Sequence, residues 1–388
     1  MSDITFPPFP FSQHGGMNAD SIRSFLVHCA RHQVSDIFFQ GGGPLVVDLH
    51  GRKLRVSEFR IEPPQLSRLM DEMFSEEIKG KLKSGQGVDR ALQLNGDINN
   101  RYGLGRGERL RFRANFIQAT IGQHDAVPGL TLRTIPTVIP QLDSLGLEPD
   151  LQRSLLPHNG LGLVCGETGS GKSTLLASIY QHCALTEADS KIVTFEDPIE
   201  FLLDFPDAIL MPEQSQLGRD VPSFAEGLRL SLRRAPGIIG VGEIRDLETL
   251  LAAIANGQSG HLCLSTMHTD SVGETIPRAI NLFPESQRGA MAHNLLSNLR
   301  YIIVQRLLKT TDGKRQSVRE YLVFDDDIRD ALRQLEYPQW RTWIDMHLRS
   351  QQGLMADKAW QLYQTGRIAR TELQKILSWR ELERREAL

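Results

Sequence analysis

The sequence has 388 residues, 40% of them hydrophobic and 23% charged, which is ordinary globular composition and enough chain for two or three domains. Its formal net charge of −3 argues against a broad nucleic-acid surface, and no run of 18 uncharged apolar residues is present to span a membrane. The four cysteines lie far apart without C-x-x-C spacing, which argues against a zinc knuckle or a disulfide framework and fits a reducing cytosol.

The first third of the chain predicts a small α+β domain behind a loose N-terminal segment. Residues 1–17 are rich in Pro, Phe and Gly and contain no Lys or Arg, so we expect a mobile arm and no signal peptide. Residues 18–134 contain helix and strand patterns typical of a meandering antiparallel sheet. The predicted elements are a helix from Asn18 to about His32, strands Asp36–Gln40 and Leu45–His50, a helix Pro63–Gly80, and strands near Arg90–Leu94 and Leu110–Phe116.

After a linker at residues 135–145, marked by Pro136 and Pro140, the pattern changes to alternating strands and helices. Residues 146–325 therefore predict a doubly wound α/β core with a parallel sheet. Its strands are predicted at Gly160–Cys165, Lys191–Phe195, Gly237–Val241 and His261–Thr266, with helices at Phe224–Leu232 and Leu247–Ala255. From about Glu274 we expect mostly helix, including Arg288–Leu308, and residues 326–388 predict a helical C-terminal region.

A phosphate-binding loop stands between the first core strand and its helix. Residues 166–174 fit G-x-x-x-x-G-K-[ST], and the strand before and the helix after supply the context that this motif requires. We expect the loop N–H groups to hold phosphate, Lys172 to reach the β- and γ-phosphates of ATP, and the Ser173 hydroxyl to ligate Mg²⁺. The predicted nucleotide-binding residues are Gly166, Glu167, Thr168, Gly169, Ser170, Gly171, Lys172, Ser173 and Thr174.

Two carboxylates follow core strands at the edge where parallel sheets bind ligands. Glu196 ends the second strand and is the candidate to orient and deprotonate the attacking water; a simple turn before Pro198 is the alternative. Glu243 follows the third strand and is the candidate to support Mg²⁺ through water. Asp246 is predicted to cap the next helix.

Two histidines flank the fourth core strand. His268 follows its carboxyl end, where it could sense the γ-phosphate through a hydrogen bond. His261 stands at the opposite end, so we expect it to be structural.

Several arginines could contact an anion. Arg111 and Arg113 alternate on one predicted strand and share a face with no acid nearby in the sequence, which fits an anion-facing surface or a solvated edge equally well. Arg133, Arg229 and Arg233 are further candidates, one of which could act in trans as an arginine finger. The basic run from 306 to 315 is predicted to be a solvated loop.

The ordered motifs resemble the secretion-superfamily ATPases of the PilT/GspE type. Four boxes have counterparts here: Walker A at 166–174, an aspartate box at 194–200, an atypical Walker B at 238–246 and a histidine box at 260–269. The segments 110–115 and 132–136 resemble the family's N-terminal arginine strand and linker, so the resemblance spans roughly residues 18–325.

Within that family the chain looks nearest to the DotB/TraJ branch of type IVB secretion and I-type plasmid conjugation, on segments 171–178, 232–236 and 319–325. Pilus ATPases usually have acids where this chain has Ala235 and Gly237, and residues 327–333 match a motif of retraction ATPases only loosely. The resemblance implies a RecA-like P-loop NTPase core, an N-terminal PAS-like domain and a homohexameric ring. It also implies that Arg111, Arg113 and Arg133 close over the nucleotide.

The function expected from these residues is a hexameric motor that hydrolyses Mg²⁺-ATP at the cytoplasmic base of a type IVB secretion or conjugative transfer system. Its expected location is cytoplasmic, peripheral to the inner membrane through partners that include an inner-membrane secretion complex and another secretion ATPase. No sequence-specific nucleic acid is expected. The alternatives are a type IV pilus retraction ATPase, a module that binds ATP but scarcely hydrolyses it, and a nucleic-acid motor, which lacks a dedicated aromatic and basic strand surface here.

Overall fold

A computed structural model describes residues 6–49, 51–135, 138–187 and 189–387. Residue contacts divide the chain into two units, Met1–Val138 and Ile139–Leu388. Three predicted features fall partly outside the described residues: the start of the N-terminal arm, His50 at the end of a predicted strand, and Pro136 in the linker. None of the described helices is both long enough and apolar enough to cross a membrane.

The N-terminal unit is a six-stranded antiparallel sheet with helices packed on one face, in the order β3-β2-β1-β6-β5-β4. Its strands are β1 Val34–Gln40, β2 Val46–Leu49, β3 Arg52–Arg55, β4 Val88–Asn95, β5 Arg109–Ile121 and β6 His124–Ile135. Its helices are α1 Ala19–Arg31, α2 Pro63–Met73 and α3 Glu77–Lys83. Alternate residues of β5, among them Phe112, Ala114 and Phe116, are buried in one core with the helices. This is the amphipathic alternation expected of an antiparallel sheet with one covered face.

Two details of this unit differ from the sequence analysis. The predicted helix Pro63–Gly80 is broken after Met73, where the Phe74 ring leaves the helix and packs edge-on against Phe116 with 4.8 Å between ring centroids. The described part of the N-terminal arm also packs on the domain rather than standing free of it. The rings of Phe9 and Phe11 lie 5.5 and 5.2 Å from that of Phe25 on α1, because these aromatic residues extend the apolar core.

The C-terminal unit contains a seven-stranded sheet in the order β13-β12-β7-β11-β10-β8-β9. All neighbours are parallel except β12 and β13, which form an antiparallel hairpin at one edge. The strands are β7 Gly160–Cys165, β8 Ile192–Glu196, β9 Glu213–Gln216, β10 Ile238–Val241, β11 Leu262–Met267, β12 Leu299–Lys309 and β13 Arg315–Val323. The four predicted core strands are thus confirmed to within one residue at each end.

Helices cover both faces of this sheet, as expected of a doubly wound core. One apolar cluster joins the sheet to α5, and a second joins it to α6, α7, α8 and α9. These helices, with the short α4, are α4 Pro149–Arg153, α5 Lys172–Thr186, α6 Phe224–Ser231, α7 Leu247–Gln258, α8 Val272–Ile280 and α9 Arg288–Asn298. The fold class predicted from the sequence, an α/β P-loop core with an N-terminal α+β domain and a helical C-terminal region, is confirmed.

The stretch Arg288–Leu308 was predicted to be one helix, and this prediction is wrong. The helix α9 ends at Asn298 and the chain continues as β12, the neighbour of β7 in the sheet. Tyr301 and the three residues after it are fully buried. Because apolar residues occupy every position of this run, its sequence shows no amphipathic period that would distinguish a buried strand from a buried helix. The basic run expected to be a solvated loop is so only in part: residues 306–309 end β12 and Arg315 begins β13, while the exposed residues 311–314 lie in the turn between them.

The C-terminal helices belong to the core of the second unit. They are α10 Asp326–Arg333, α11 Trp340–Ser350, α12 Met355–Gln364, α13 Arg370–Leu373 and α14 Trp379–Glu386. The fully buried Trp340 packs into the same apolar cluster as β11 and α8, and its indole Nε1 donates to the main-chain oxygen of Leu332 at 2.7 Å. This region is therefore part of the packed unit that carries the P-loop.

Candidate functional site

The phosphate-binding loop lies between β7 and α5, as the motif predicts. Gly166 has φ of 136°, and a Cβ there would lie 2.3 Å from the main-chain oxygen of Gln305, so a side chain does not fit. Gly171 has φ of 88° and is the N-cap of α5. The first turn of α5 therefore directs its N–H groups and the positive end of its dipole towards the loop, which is the arrangement that binds phosphate.

Lys172 places a cation at the mouth of this loop. It is 9% exposed, and its Nζ donates to the main-chain oxygens of Gly166 at 2.7 Å and Glu167 at 2.9 Å. Burial lowers the pKa of the Lys172 ammonium, and the nearby negative charge of Glu243 raises it. The ammonium is thus held within the loop, where phosphate oxygens of a nucleotide can replace the two carbonyl oxygens.

Glu196 is the last residue of β8, and its carboxylate is buried and accepts two side-chain hydrogen bonds. Its Oε1 accepts hydrogen bonds from Thr194 Oγ1 at 2.7 Å and Gln214 Nε2 at 2.9 Å. Burial raises the pKa of the Glu196 carboxyl, whereas the bonds from Gln214 and Thr194 lower it. A carboxylate with a raised pKa is a better proton acceptor, which suits a general base.

A small cavity adjoins Glu196. It has a volume of about 50 Å³ and is lined in part by Ser173, Thr194, Glu196, Tyr180 and Thr266. This volume exceeds the roughly 10–15 Å³ that one water requires, and the lining includes several polar groups. The space beside the carboxylate can therefore hold the water that the sequence analysis assigns to Glu196.

Glu243 and His268 come together at the ends of β10 and β11. The Nε2 of His268 lies 3.3 Å from Glu243 Oε1, and Arg245 Nε donates to Glu243 Oε2 at 2.6 Å. The Glu243 side chain is 14% exposed, while the Arg245 side chain is mostly exposed. The carboxylate is therefore held between an imidazole and a guanidinium, both of which can turn towards an anion.

The parallel register explains why these residues meet. The strands β7, β8, β10 and β11 run in the same direction, so their carboxyl ends share one edge of the sheet. Thr266 Oγ1 donates to the Gly242 main-chain oxygen at 2.6 Å, and a Cβ on Gly242 would lie 3.4 Å from the Glu196 Cα. One edge of the sheet therefore carries a phosphate-binding loop, a cation, two carboxylates and an imidazole. These are the groups that phosphoryl transfer to water requires.

Two residues predicted to be structural occupy structural positions. The Asp246 carboxylate caps α7 by accepting the Thr249 N–H at 2.8 Å, which confirms the predicted cap. His261 precedes β11, at the opposite end from His268, and its Nδ1 lies 3.2 Å from Ser259 Oγ.

Two contacts of the site were missed by the sequence analysis. Gln214 lies on the short edge strand β9 and bonds Glu196, the Leu203 N–H and the Phe201 carbonyl. Arg245 binds Glu243 two residues earlier in the same loop. No periodic pattern marks either residue, although the position of Arg245 beside Glu243 was visible in the sequence.

A magnesium ion fits the donor set at the P-loop. Across the described ranges, no group of three or more His, Cys, Asp or Glu side chains could hold a metal ion. Mg²⁺ on a nucleotide keeps several waters and takes few protein ligands besides phosphate. The Ser173 hydroxyl in the first turn of α5, with Glu243 near Lys172, is a donor set of that kind.

The arginines predicted to close over the nucleotide lie in the N-terminal unit. Arg113 of β5 is opposite Arg133 of β6, and Arg111 projects on the same face as both. Acids do lie close, contrary to the expectation from the linear sequence. Arg133 Nε donates to Asp36 Oδ1 at 2.8 Å, and Arg113 Nε lies 3.5 Å from Asp89 Oδ1, because neighbouring strands supply these carboxylates.

The other two candidate arginines lie in the C-terminal unit, on or after α6. Arg229 is exposed and binds Glu226 at 3.1 Å on the same helix. Arg233 lies in the turn that follows α6. Their use as arginine fingers stays a prediction.

Comparisons with known proteins place the chain among secretion proteins. Residues 25–379 match the family described as type II/IV secretion system protein. The chain is 30% identical over 313 residues to the type IV pilus retraction ATPase PilT of Pseudomonas aeruginosa, covering 81% of this chain and 85% of that protein. It is 31% identical over 338 residues to the type IV pilus ATPase PilU of the same organism, covering 86% and 82%.

Two solved structures are similar over nearly the whole chain. The Legionella pneumophila ATPase DotB superimposes with a TM-score of 0.83 at 33% identity, covering 93% of this chain and 96% of that one. The pilus retraction motor PilT with bound ADP superimposes with a TM-score of 0.76 at 32% identity, covering 94% and 99%.

Proposed function

Since the chain belongs to the family of type II/IV secretion system proteins and is an ATPase of the PilT/GspE type, we propose that it is a hexameric Mg²⁺-ATP-driven motor of a type IVB secretion or conjugation apparatus. The observation that carries the proposal is the convergence of Lys172, Glu196, Glu243 and His268 at one edge of the parallel sheet. This edge lies beside the P-loop.

Each of these residues has a role in the proposed hydrolysis. The loop N–H groups and Lys172 hold the β- and γ-phosphates, and the buried Glu196 carboxylate orients a water in the adjoining cavity. The water oxygen bonds to the γ-phosphorus, the bond from that phosphorus to the β,γ-bridging oxygen breaks, and Glu196 accepts the water proton. ADP and phosphate result. Bound Mg²⁺ would supply charge neutralisation on the phosphates, with Ser173 as a direct ligand and Glu243 acting through water.

His268 is positioned to report the state of the γ-phosphate. Its Nε2 lies 3.3 Å from Glu243 Oε1, while more than a third of the side chain stays exposed. An imidazole so placed can exchange its carboxylate partner for a phosphate oxygen. That exchange is the proposed link between hydrolysis and movement.

The type IVB assignment is supported by DotB and by segments of the sequence. DotB is similar along nearly its whole length, and the chain lacks the acids that pilus ATPases usually carry at Ala235 and Gly237. On this proposal the ring works at the cytoplasmic face of the inner membrane, bound to a secretion complex and a second ATPase. The closing of Arg111, Arg113 and Arg133 over the nucleotide is part of the same proposal.

Type IV pilus retraction is a second candidate function. It is favoured by the similarity to PilT and PilU, each of which shares about four-fifths or more of its length with this chain. The two candidates use the same chemistry and differ in the membrane complex that the motor drives.

The experiment combines phosphate release with co-purification. Lys172→Ala is expected to abolish ATP hydrolysis, whereas Lys314→Ala, in the exposed β12–β13 turn, should keep the wild-type rate. Wild-type hydrolysis by Lys172→Ala would contradict the assignment, and nucleotide binding without hydrolysis by the unmodified ring would favour a regulatory module. Glu243→Gln is expected to retain bound ATP and to co-purify with type IVB channel components. Recovery of pilus platform components instead would favour the second candidate.

A further inference from the structure

Gln305 lies directly behind the phosphate loop, on β12. It is 3% exposed, and its Nε2 donates to the main-chain oxygen of Ser170 at 2.7 Å. On its other side, Oε1 accepts a hydrogen bond from Arg319 Nε at 2.7 Å. Arg319 is opposite Gln305 in the β12–β13 hairpin and is 4% exposed. The P-loop is therefore supported by a buried pair of polar side chains from the edge hairpin.

The orientation of the Gln305 amide follows from its partners. A guanidinium can only donate hydrogen bonds, so the amide oxygen must face Arg319. The amide nitrogen must then face the Ser170 carbonyl, which can only accept. Arg319 thus fixes which end of the Gln305 amide meets the loop.

This contact sets the direction of one peptide unit in the loop. In a trans peptide, the C=O of Ser170 and the N–H of Gly171 point in opposite directions. Because Gln305 holds that C=O at the back of the loop, the Gly171 N–H points to its concave side, where phosphate would bind. Gly171 has φ of 88°, which favours glycine, and a Cβ there would lie 2.8 Å from Gln305 Nε2 and so would press on the amide.

Arg319 also connects the loop to the start of the C-terminal unit. Its two terminal nitrogens donate to the main-chain oxygens of Gly146 at 3.3 Å and Leu145 at 3.1 Å. Burial lowers the pKa of the Arg319 guanidinium. The three carbonyl or amide oxygens that accept its hydrogen bonds make burial of this cation tolerable.

We propose that Gln305 is a positioning residue for nucleotide binding: held by Arg319, it orients the Ser170–Gly171 peptide so that the Gly171 N–H meets the β-phosphate. The inference rests on the proposed nucleotide site. It adds two residues outside the four family boxes to the machinery that shapes the loop.

The test is the ratio of ADP to AMP affinity, measured by isothermal titration calorimetry on the full chain. Gln305→Glu keeps the shape and the Arg319 partner but cannot donate to the Ser170 oxygen. The matched control is Gln316→Glu on β13, whose amide oxygen likewise accepts from an arginine, Arg367, at 3.1 Å. Loss of one hydrogen bond to a charged phosphate should weaken ADP binding on the order of tenfold to a hundredfold in Gln305→Glu. AMP, which lacks the β-phosphate, should change much less.

The inference is supported if the ratio of ADP to AMP affinity falls in Gln305→Glu and keeps its wild-type value in Gln316→Glu. An unchanged ratio in Gln305→Glu, or equal narrowing in both variants, would overturn it. If Gln305→Glu fails to fold, Arg319→Met gives the same readout, because methionine cannot donate the hydrogen bond that fixes the Gln305 amide, and an unchanged ratio there would also overturn it. Failure of the wild-type protein to bind ADP would instead refute the proposed function, so the two failures are distinguishable.

Discussion

Replacing Glu196 with glutamine removes a charge and a proton acceptor from the end of β8 while keeping the size of the side chain. Thr194 and Gln214 both donate to one oxygen, which the glutamine amide retains. A general base contributes roughly 10²- to 10⁴-fold to the rate, so we expect ATP hydrolysis to fall by that factor. This corresponds to an increase of about 2.7–5.4 kcal/mol in the activation free energy.

The pH dependence of hydrolysis should change in the same variant. On the proposed mechanism hydrolysis needs ionised Glu196, and burial raises the pKa of this carboxyl. Activity should therefore fall on acidification at a pH above the ordinary glutamate value of about 4.3. A glutamine amide cannot titrate, so the residual activity of Glu196→Gln should lack this acidic limb.

Stability gives an independent measure of the same burial. Because the folded-state pKa exceeds the unfolded one, the folded wild type binds this proton more tightly. The stabilisation is fully present below the unfolded pKa and is lost as the pH rises through the folded pKa. Relative to Glu196→Gln, the wild-type free energy of unfolding should fall by about 1.4 kcal/mol for each pH unit between the two pKa values.

The assays are steady-state phosphate release and urea unfolding of both proteins at several pH values from about 4 to 8. Glu383→Gln, exposed on α14, is the control and should keep wild-type hydrolysis. Hydrolysis by Glu196→Gln above a tenth of the wild-type rate would refute the catalytic role. A difference in unfolding free energy that does not vary with pH would refute the argument from burial.

Three further substitutions test packing and capping by thermal and urea unfolding. Gly240→Ala places a Cβ 2.4 Å from the Tyr180 hydroxyl oxygen and should cost about 1–3 kcal/mol; an unchanged midpoint would show that the ring can move aside. Asp246→Ala removes the bond to the Thr249 N–H and should cost about 1 kcal/mol, so full stability would argue against the cap. Trp340→Phe removes the indole bonds to the Leu332 and Leu335 carbonyls and leaves a gap in the core, so it should cost about 1–3 kcal/mol; wild-type stability would contradict its role in the core.

The sequence could predict the parts of the fold that depend on local pattern. Short apolar runs before and after the P-loop defined four buried strands, since parallel strands covered on both faces read as continuous apolar segments. The helix caps Asn18 and Asp246 could be predicted because capping is a local contact. A short polar side chain at the start of a helix accepts a hydrogen bond from a main-chain N–H two or three residues later in the sequence. The candidate residues Glu196, Glu243 and His268 could be chosen from those strands, because each lies at a carboxyl end or within two residues of it.

The parts that failed depend on contacts between distant segments. The acids beside Arg113 and Arg133 come from β4 and β1, which no spacing in the sequence brings near them. Gln214 meets Glu196 only because β9 pairs alongside β8. The strand β12 was read as helix because a fully buried run carries no period.

The loop that carries His268 is attached to the C-terminal helices through two buried or half-buried side chains of the edge hairpin. Arg306 binds Asp270 at 3.1 Å with one terminal nitrogen and the Lys375 carbonyl at 3.0 Å with the other.

Glu320 makes the second attachment. Its two carboxylate oxygens accept the N–H groups of Val272 at 2.8 Å and Met355 at 3.0 Å, at the starts of α8 and α12. Burial raises the pKa of this carboxyl, and the two helix dipoles that face it favour its charged form. If the loop that carries His268 moves and takes Val272 with it, there are two possible results. Either one hydrogen bond to the buried Glu320 carboxylate breaks, or α12 moves as well. Since an unsatisfied buried donor or acceptor costs about 1–3 kcal/mol, the second course is favoured. The helices after β13 are thus joined by hydrogen bonds to the loop that carries His268.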